Sequence, residues 1–151
     1  MRLLKNSGSD RVIDELRRVL VPRGTLDVAS PTFSLFAFGE IQGLLSGLAK
    51  CRLVVPSDEA GDLNMLGSPS DRTYRNRLQA RWLARQCAAW LEAKAEVRNA
   101  PNAIPQAALI VGGEDAALSR VITGHCPFTT EGLGITPGNQ FSLIQAAEST
   151  E

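Results

Sequence analysis

An apolar pattern that changes period twice within thirty residues constrains this chain more than any other feature. Thr25-Leu26-Asp27-Val28-Ala29 alternates as a strand does, and Ser30-Pro31-Thr32 forms its exit turn. Phe38, Ile41, Leu44, Leu45 and Leu48 then recur at three and four, which predicts a helix over about 39–49. Cys51-Arg52-Leu53-Val54-Val55 returns to strand and stops at Pro56. Strand, helix and strand in this order predict a parallel pair with a right-handed crossover. Gly43 and Gly47 lower the helix's own propensity by about 1 kcal/mol each, so packing must hold it.

The flanks extend the pattern. Ser9 or Asp10 stands as an N-cap before Val12, Ile13, Leu16, Val19 and Leu20, a first helix stopped by Pro22 and Gly24. Residues 56–70 form a loop with two prolines and two glycines. From about 71 to 95 no glycine or proline occurs, which predicts the longest helix, with Leu78, Trp82, Trp90 and Leu91 on its apolar face. Strands are expected at about 105–111, 117–123 and 139–146, the first two joined by the turn Gly112-Gly113-Glu114-Asp115. The predicted class is α/β: a mixed, mostly parallel sheet with helices on both faces, in one domain over 1–151. At 151 residues, such a domain needs no covalent staple.

Charge is balanced overall, with 16 basic and 16 acidic residues, which excludes a binder that is basic throughout. The balance hides an uneven distribution. Residues 72–98 hold seven basic and two acidic side chains, and 99–151 hold one and five. Arg77, Arg81 and Arg85 line one helical stripe with no acid at i±4, the next acids being Asp71 and Glu92, and Arg72 and Arg75 add to its amino-terminal end. Arginine suits bidentate phosphate contacts, so this helix is the candidate surface for DNA or RNA. Its alternative is a solvated face, or one paired with Asp58, Glu59 and Asp62. Trp82 and Trp90, eight apart, are expected in the core rather than stacked on bases.

Three cysteines (Cys51, Cys87, Cys126) and one histidine (His125) offer no zinc spacing, and an odd cysteine count far apart suits a reducing cytoplasm. No metal or cofactor is expected. The amino terminus has no signal-peptide pattern, and no apolar run is long enough to span a membrane. No Walker-type phosphate loop occurs. His125 and Cys126 are the candidate catalytic side chains. Being adjacent, they point to opposite sides of an extended backbone, which argues against a dyad and for a small buried thiol.

The segment Val121-Ile122-Thr123-Gly124-His125-Cys126-Pro127-Phe128-Thr129-Thr130-Glu131-Gly132-Leu133-Gly134 resembles the strand-to-turn signature of phospholipase D-like domains. Arg11 to Leu16, the strand ending Val28-Ala29-Ser30-Pro31-Thr32-Phe33-Ser34, and the helix from Arg72 to Trp90 are similar to other parts of that domain. The likeness is greatest to the amino-terminal domains of bacterial superfamily-2 helicases and restriction-type nucleases. The resemblance implies one phospholipase D-like half, a cleft or dimer face at Gln106, Gly124, His125, Phe128 and Thr129, and pairing with a second copy or a partner domain. The family's chemistry needs H-x-K-x(4)-D, supplied twice. The corresponding strand here, Ile104-Pro105-Gln106-Ala107-Ala108-Leu109-Ile110, has neither histidine nor lysine. The expectation is therefore a catalytically degenerate module that binds nucleic acid or a partner domain. A dimeric phosphodiesterase using His125, and an assembly subunit without nucleic-acid contact, are the alternatives.

Overall fold

A computed structural model describes residues 1–56, 80–114, 119–138 and 142–149. Its sheet has seven strands: β1 (Arg2–Leu4), β2 (Thr25–Ala29), β3 (Lys50–Pro56), β4 (Ala95–Ala100), β5 (Ala107–Gly112), β6 (Ser119–Gly124) and β7 (Ile144–Ser149). Among the described residues three helices accompany them: α1 (Val12–Val19), α2 (Leu35–Ser46) and α3 (Ala80–Lys94). The strand order is β1-β7-β6-β5-β2-β3-β4. The pairs β2·β3 and β3·β4 are parallel, as the strand–helix–strand pattern requires. The other four pairs are antiparallel. The class is α/β as expected, but the sheet is mostly antiparallel rather than mostly parallel. The reason is the carboxyl-terminal half: β5, β6 and β7 follow one another with no helix among the described residues between them, so they pair as neighbours reversing direction.

Register explains where the core sits. Val28 lies opposite Leu53 and Leu109, Leu109 opposite Ile122, and Ile122 opposite Ala146. All are buried, and all belong to the core cluster that α1, α2 and α3 also enter. The intervening residues Asp27, Arg52, Ile110 and Val121 form the other face and are partly or largely exposed. Among the described residues the three helices therefore share one face of the sheet, and helices on both faces are not seen.

Each helix forms for local reasons. Along α1, Val12, Ile13 and Leu16 are buried, while Asp14 and Glu15 in the first turn and Arg17 and Arg18 in the last complement the helix dipole. Its N-cap is Arg11, not Ser9 or Asp10. The orphan Val12 N–H donates instead to Asn6 Oδ1 at 3.0 Å, and Asp10 is occupied by Lys5 N and Arg2. In α2, Ser34 caps the first turn, its Oγ accepting from Phe36 N and Ala37 N at 3.2 and 3.4 Å. Against α3, a Cβ on Gly39 would come within 2.9 Å of Leu83, so glycine lets the two helices approach closely. Trp90 packs on Phe38, ring centroids 5.3 Å apart, and donates from Nε1 to Leu45 O at 3.2 Å.

Candidate functional site

The carboxyl ends of β1, β2 and β6 meet at one end of the sheet, where most of the sequence-predicted residues collect. The register brings Ala107 opposite Gly124, so Gln106 and His125 leave neighbouring strands at that end. β6 stops at Gly124, whose φ of +134° only glycine adopts readily. His125 N then donates to Leu143 O at 3.2 Å. Phe128 returns toward β2: its N–H donates to Ser30 Oγ at 2.9 Å, its carbonyl accepts from Ser34 N at 2.8 Å, and its ring stacks on Phe33 with centroids 4.8 Å apart. The turn is thus tied to the exit of the second strand by two hydrogen bonds and a ring stack.

The next residues hold themselves together. Thr129 Oγ1 accepts from Gly132 N at 2.9 Å, and Thr130 O accepts from Ile135 N and Thr136 N. Asn6 Nδ2 donates to the carbonyls of Glu131 and Gly132 at 3.3 and 3.0 Å, and Leu133 O accepts from Ile13 N at 2.9 Å. Asn6 therefore links the first strand, the amino end of α1 and this turn, a role that sequence reasoning missed. The only signal was its position between a short apolar stretch and a helix start. Gly132 is required by close approach, since a Cβ there would lie 2.0 Å from Pro127 O.

Above the turn lies a cleft of about 440 Å³, bordered by Arg11, Thr32, His125, Thr129, Glu131 and Thr136. Arg11 is held by both oxygens of Asp14, at 2.7 and 2.9 Å, which holds the Asp14 carboxyl below its ordinary range. His125 is exposed at the mouth of the cleft. Cys126 is fully buried, and burial pushes its thiol up to about 12. Phe128 and Thr129 are also buried within the chain, so of the residues expected at a dimer face only Gln106 and His125 offer exposed side chains.

The three thiols share this fate. Burial raises Cys51 to about 12 and Cys87 to about 11, and all are free. None supplies thiolate near neutral pH, and thiolate is the reactive form. Ellman's reagent at pH 8 is expected to find no reactive thiol in the native protein and all three in denaturant. Rapid native labelling that disappears in Cys126→Ser would show instead that the turn opens. Among the described residues, no group of three or more histidine, cysteine or acidic side chains is placed to hold a metal ion.

The arginine stripe lies elsewhere, along α3. Arg72, Arg75 and Arg77, with the acids Asp58, Glu59 and Asp62, fall outside the described residues. Arg81 and Arg85 are exposed, with no carboxylate partner among the described residues. The two tryptophans part company. Trp90 is 8% exposed, as a core residue should be, but Trp82 is 56% exposed. Eight residues along a helix leave a rotation of about 80°. That is enough to carry Trp82 off the face that Leu83, Cys87 and Trp90 bury.

No helix of the described residues is long and apolar enough to cross a membrane. No family model matches the chain, and no curated protein does.

Proposed function

We propose that this chain is a catalytically silent phospholipase D-like module that binds nucleic acid through the outer face of α3, as part of a helicase or restriction-type system. The observation that carries the binding is the pair Arg81 and Arg85, exposed one turn apart with no described acid to neutralise them. Fixed cations of this kind attract a polyanion and bind its phosphates bidentately. The phospholipase D-like likeness is supported by the β5–β6 pair leading into the Gly124 to Phe128 turn beside the exit of β2. Silence follows from the start of β5, where Gln106, Ala107 and Ala108 provide neither nucleophile nor phosphate-binding cation.

Two phosphates neutralised by Arg81 and Arg85 correspond to a slope of about −1.8 in log affinity against log salt on duplex DNA. Arg81→Gln and Arg85→Gln should each reduce the slope by about one unit and weaken all sequences alike. Fluorescence anisotropy at low and moderate salt measures both. Affinity that ignores salt, or no binding at low salt, would remove the proposal and leave an assembly subunit.

One observation favours a second reading, a dimeric phosphodiesterase: His125 stands exposed beside a polar cleft. It is the only histidine in the chain, so paired acid and nucleophile roles would require two copies. On the leading proposal, a chromogenic phosphodiester and single- and double-stranded DNA, with and without divalent metal, show no turnover above background. Turnover lost in His125→Ala would establish the second reading.

A further inference from the structure

Trp82 is the one aromatic side chain among the exposed large apolar residues described. It is more than half exposed, on a helix whose other tryptophan is buried, and among the described residues it has neither a ring partner nor a hydrogen bond. Two exposed arginines adjoin it. Arg85 follows it by three, and Arg81 precedes Arg85 by four, so the three side chains occupy adjoining positions on the helix surface. Ala84, Ala88 and Ala89 further along the helix are exposed and small. Neither arginine is matched by a described acid. Glu92, two turns beyond Arg85, is the nearest acid further along the helix.

A flat aromatic surface beside two guanidinium groups with no carboxylate partner among the described residues suits a chain of phosphates whose bases have a free face. A duplex covers those faces by stacking its own bases. A single strand leaves them available, and base–aromatic stacking is tolerant of sequence. Two cations alone give a modest electrostatic contribution, so stacking would make a comparable one and set the preference between strand forms. Resting on the nucleic-acid reading above, we infer that the outer face of α3 is a single-strand platform, in which Trp82 stacks on an unpaired base while Arg81 and Arg85 hold the neighbouring phosphates.

The test uses the full chain, an oligothymidylate of about 12 nucleotides and a duplex of the same length, with anisotropy for affinity and tryptophan emission for contact. The single strand should quench Trp82 emission, with Trp90 buried and unaffected, and should bind more tightly than the duplex. Trp82→Ala should weaken single-strand binding about ten-fold or more and leave duplex binding unchanged, while Trp82→Phe should recover part of the loss. Both substitutions are at an exposed position, and circular dichroism would confirm folding. If Arg81→Gln with Arg85→Gln abolishes binding but Trp82→Ala changes nothing, the platform is overturned and the arginine interface stands. Equal losses for single strand and duplex also overturn it. Should neither nucleic acid bind at low salt, both readings fall. Concentration-dependent self-association lost in Trp82→Ala would assign the ring to a protein contact and overturn the platform.

Discussion

Replacing Glu15 by alanine should lower the free energy of unfolding by about 3 kcal/mol, near the lower end for breaking a buried ion pair. Glu15 sits on α1 with its side chain 1% exposed, and three arginines converge on it. Arg2 from β1 reaches Oε2 at 2.8 Å, Arg18 from the same helix also meets Oε2, and Arg120 from β6 stands 3.7 Å from Oε1. Arg120 is held in addition by Glu148 of β7. One carboxylate thus joins the first helix to two strands that are distant in sequence. Arg2 and Arg18 are more than half exposed and can return to water, which limits the loss. Arg120 is 25% exposed and loses more. Glu15→Gln preserves the volume and one acceptor, so it should lose only about 1–2 kcal/mol. Arg18→Ala should lose less than about 1 kcal/mol, since an exposed pair contributes little. Urea unfolding monitored by circular dichroism gives all three values from the midpoint at constant slope. An alanine variant as stable as wild type would mean that desolvation of Glu15 cancels its attractions.

Gly124→Ala should have an effect of similar size for a different reason. A φ of +134° is strained for any L side chain, and the added Cβ would fall 2.2 Å from Leu143 O and 3.0 Å from Ile144 Cα. Both neighbours are backbone, so relief requires β6 and β7 to separate where the turn begins. The expected loss is about 3 kcal/mol or more, with displacement of His125 and loss of the Phe33–Phe128 stack. Gly43→Ala is the contrasting control. Gly43 is exposed in α2, nothing lies within 4 Å of its added Cβ, and its φ is not positive. Alanine there should stabilise by about 0.5–1 kcal/mol through helix propensity. If the two substitutions behaved alike, the conformational argument for Gly124 would fail.

These two sites differ in how far they can be seen in the sequence. Gly124 is visible because it ends an apolar strand and precedes a polar turn. Glu15 is not, because a glutamate in the first turns of an amphipathic helix ordinarily faces water. Its burial depends on β1 and β6 arriving beside it. The same distinction holds for the tryptophans. Spacing places Trp82 near the apolar stripe of α3, and only the packing of α2 against Leu83 and Trp90 decides which side of that stripe is covered.

Local pattern sufficed for β2, α2 and β3, where alternation, a three-and-four repeat and Pro56 bound each element and imply their parallel pairing. α2 nonetheless runs Leu35–Ser46 rather than 39–49, because Ser34 caps it early and Gly47 ends it. β5 and β6 were legible too, within two residues, from apolar runs around Gly112-Gly113. β1 is three residues long, too short for a period to register. β4, Ala95-Glu96-Val97-Arg98-Asn99-Ala100, is an edge strand that alternates over only four residues and carries charges, as edges that resist further pairing tend to do. β7 runs Ile144–Ser149, beyond the expected 139–146, whose first residues 139–141 lie outside the described residues.

By itself, then, the sequence determined the α/β class, the parallel crossover, the absence of a histidine and lysine pair on β5, and the arginines on α3. These depend on residue identity and on contacts between near neighbours. Tertiary structure alone decided that four of six strand pairs run antiparallel, that the three described helices share one face, that Glu15 is buried among arginines, and that Trp82 faces water. Each of these is set by strands and helices that meet across scores of residues, where the same local pattern is compatible with several partners and the choice falls to whichever packing buries the common core.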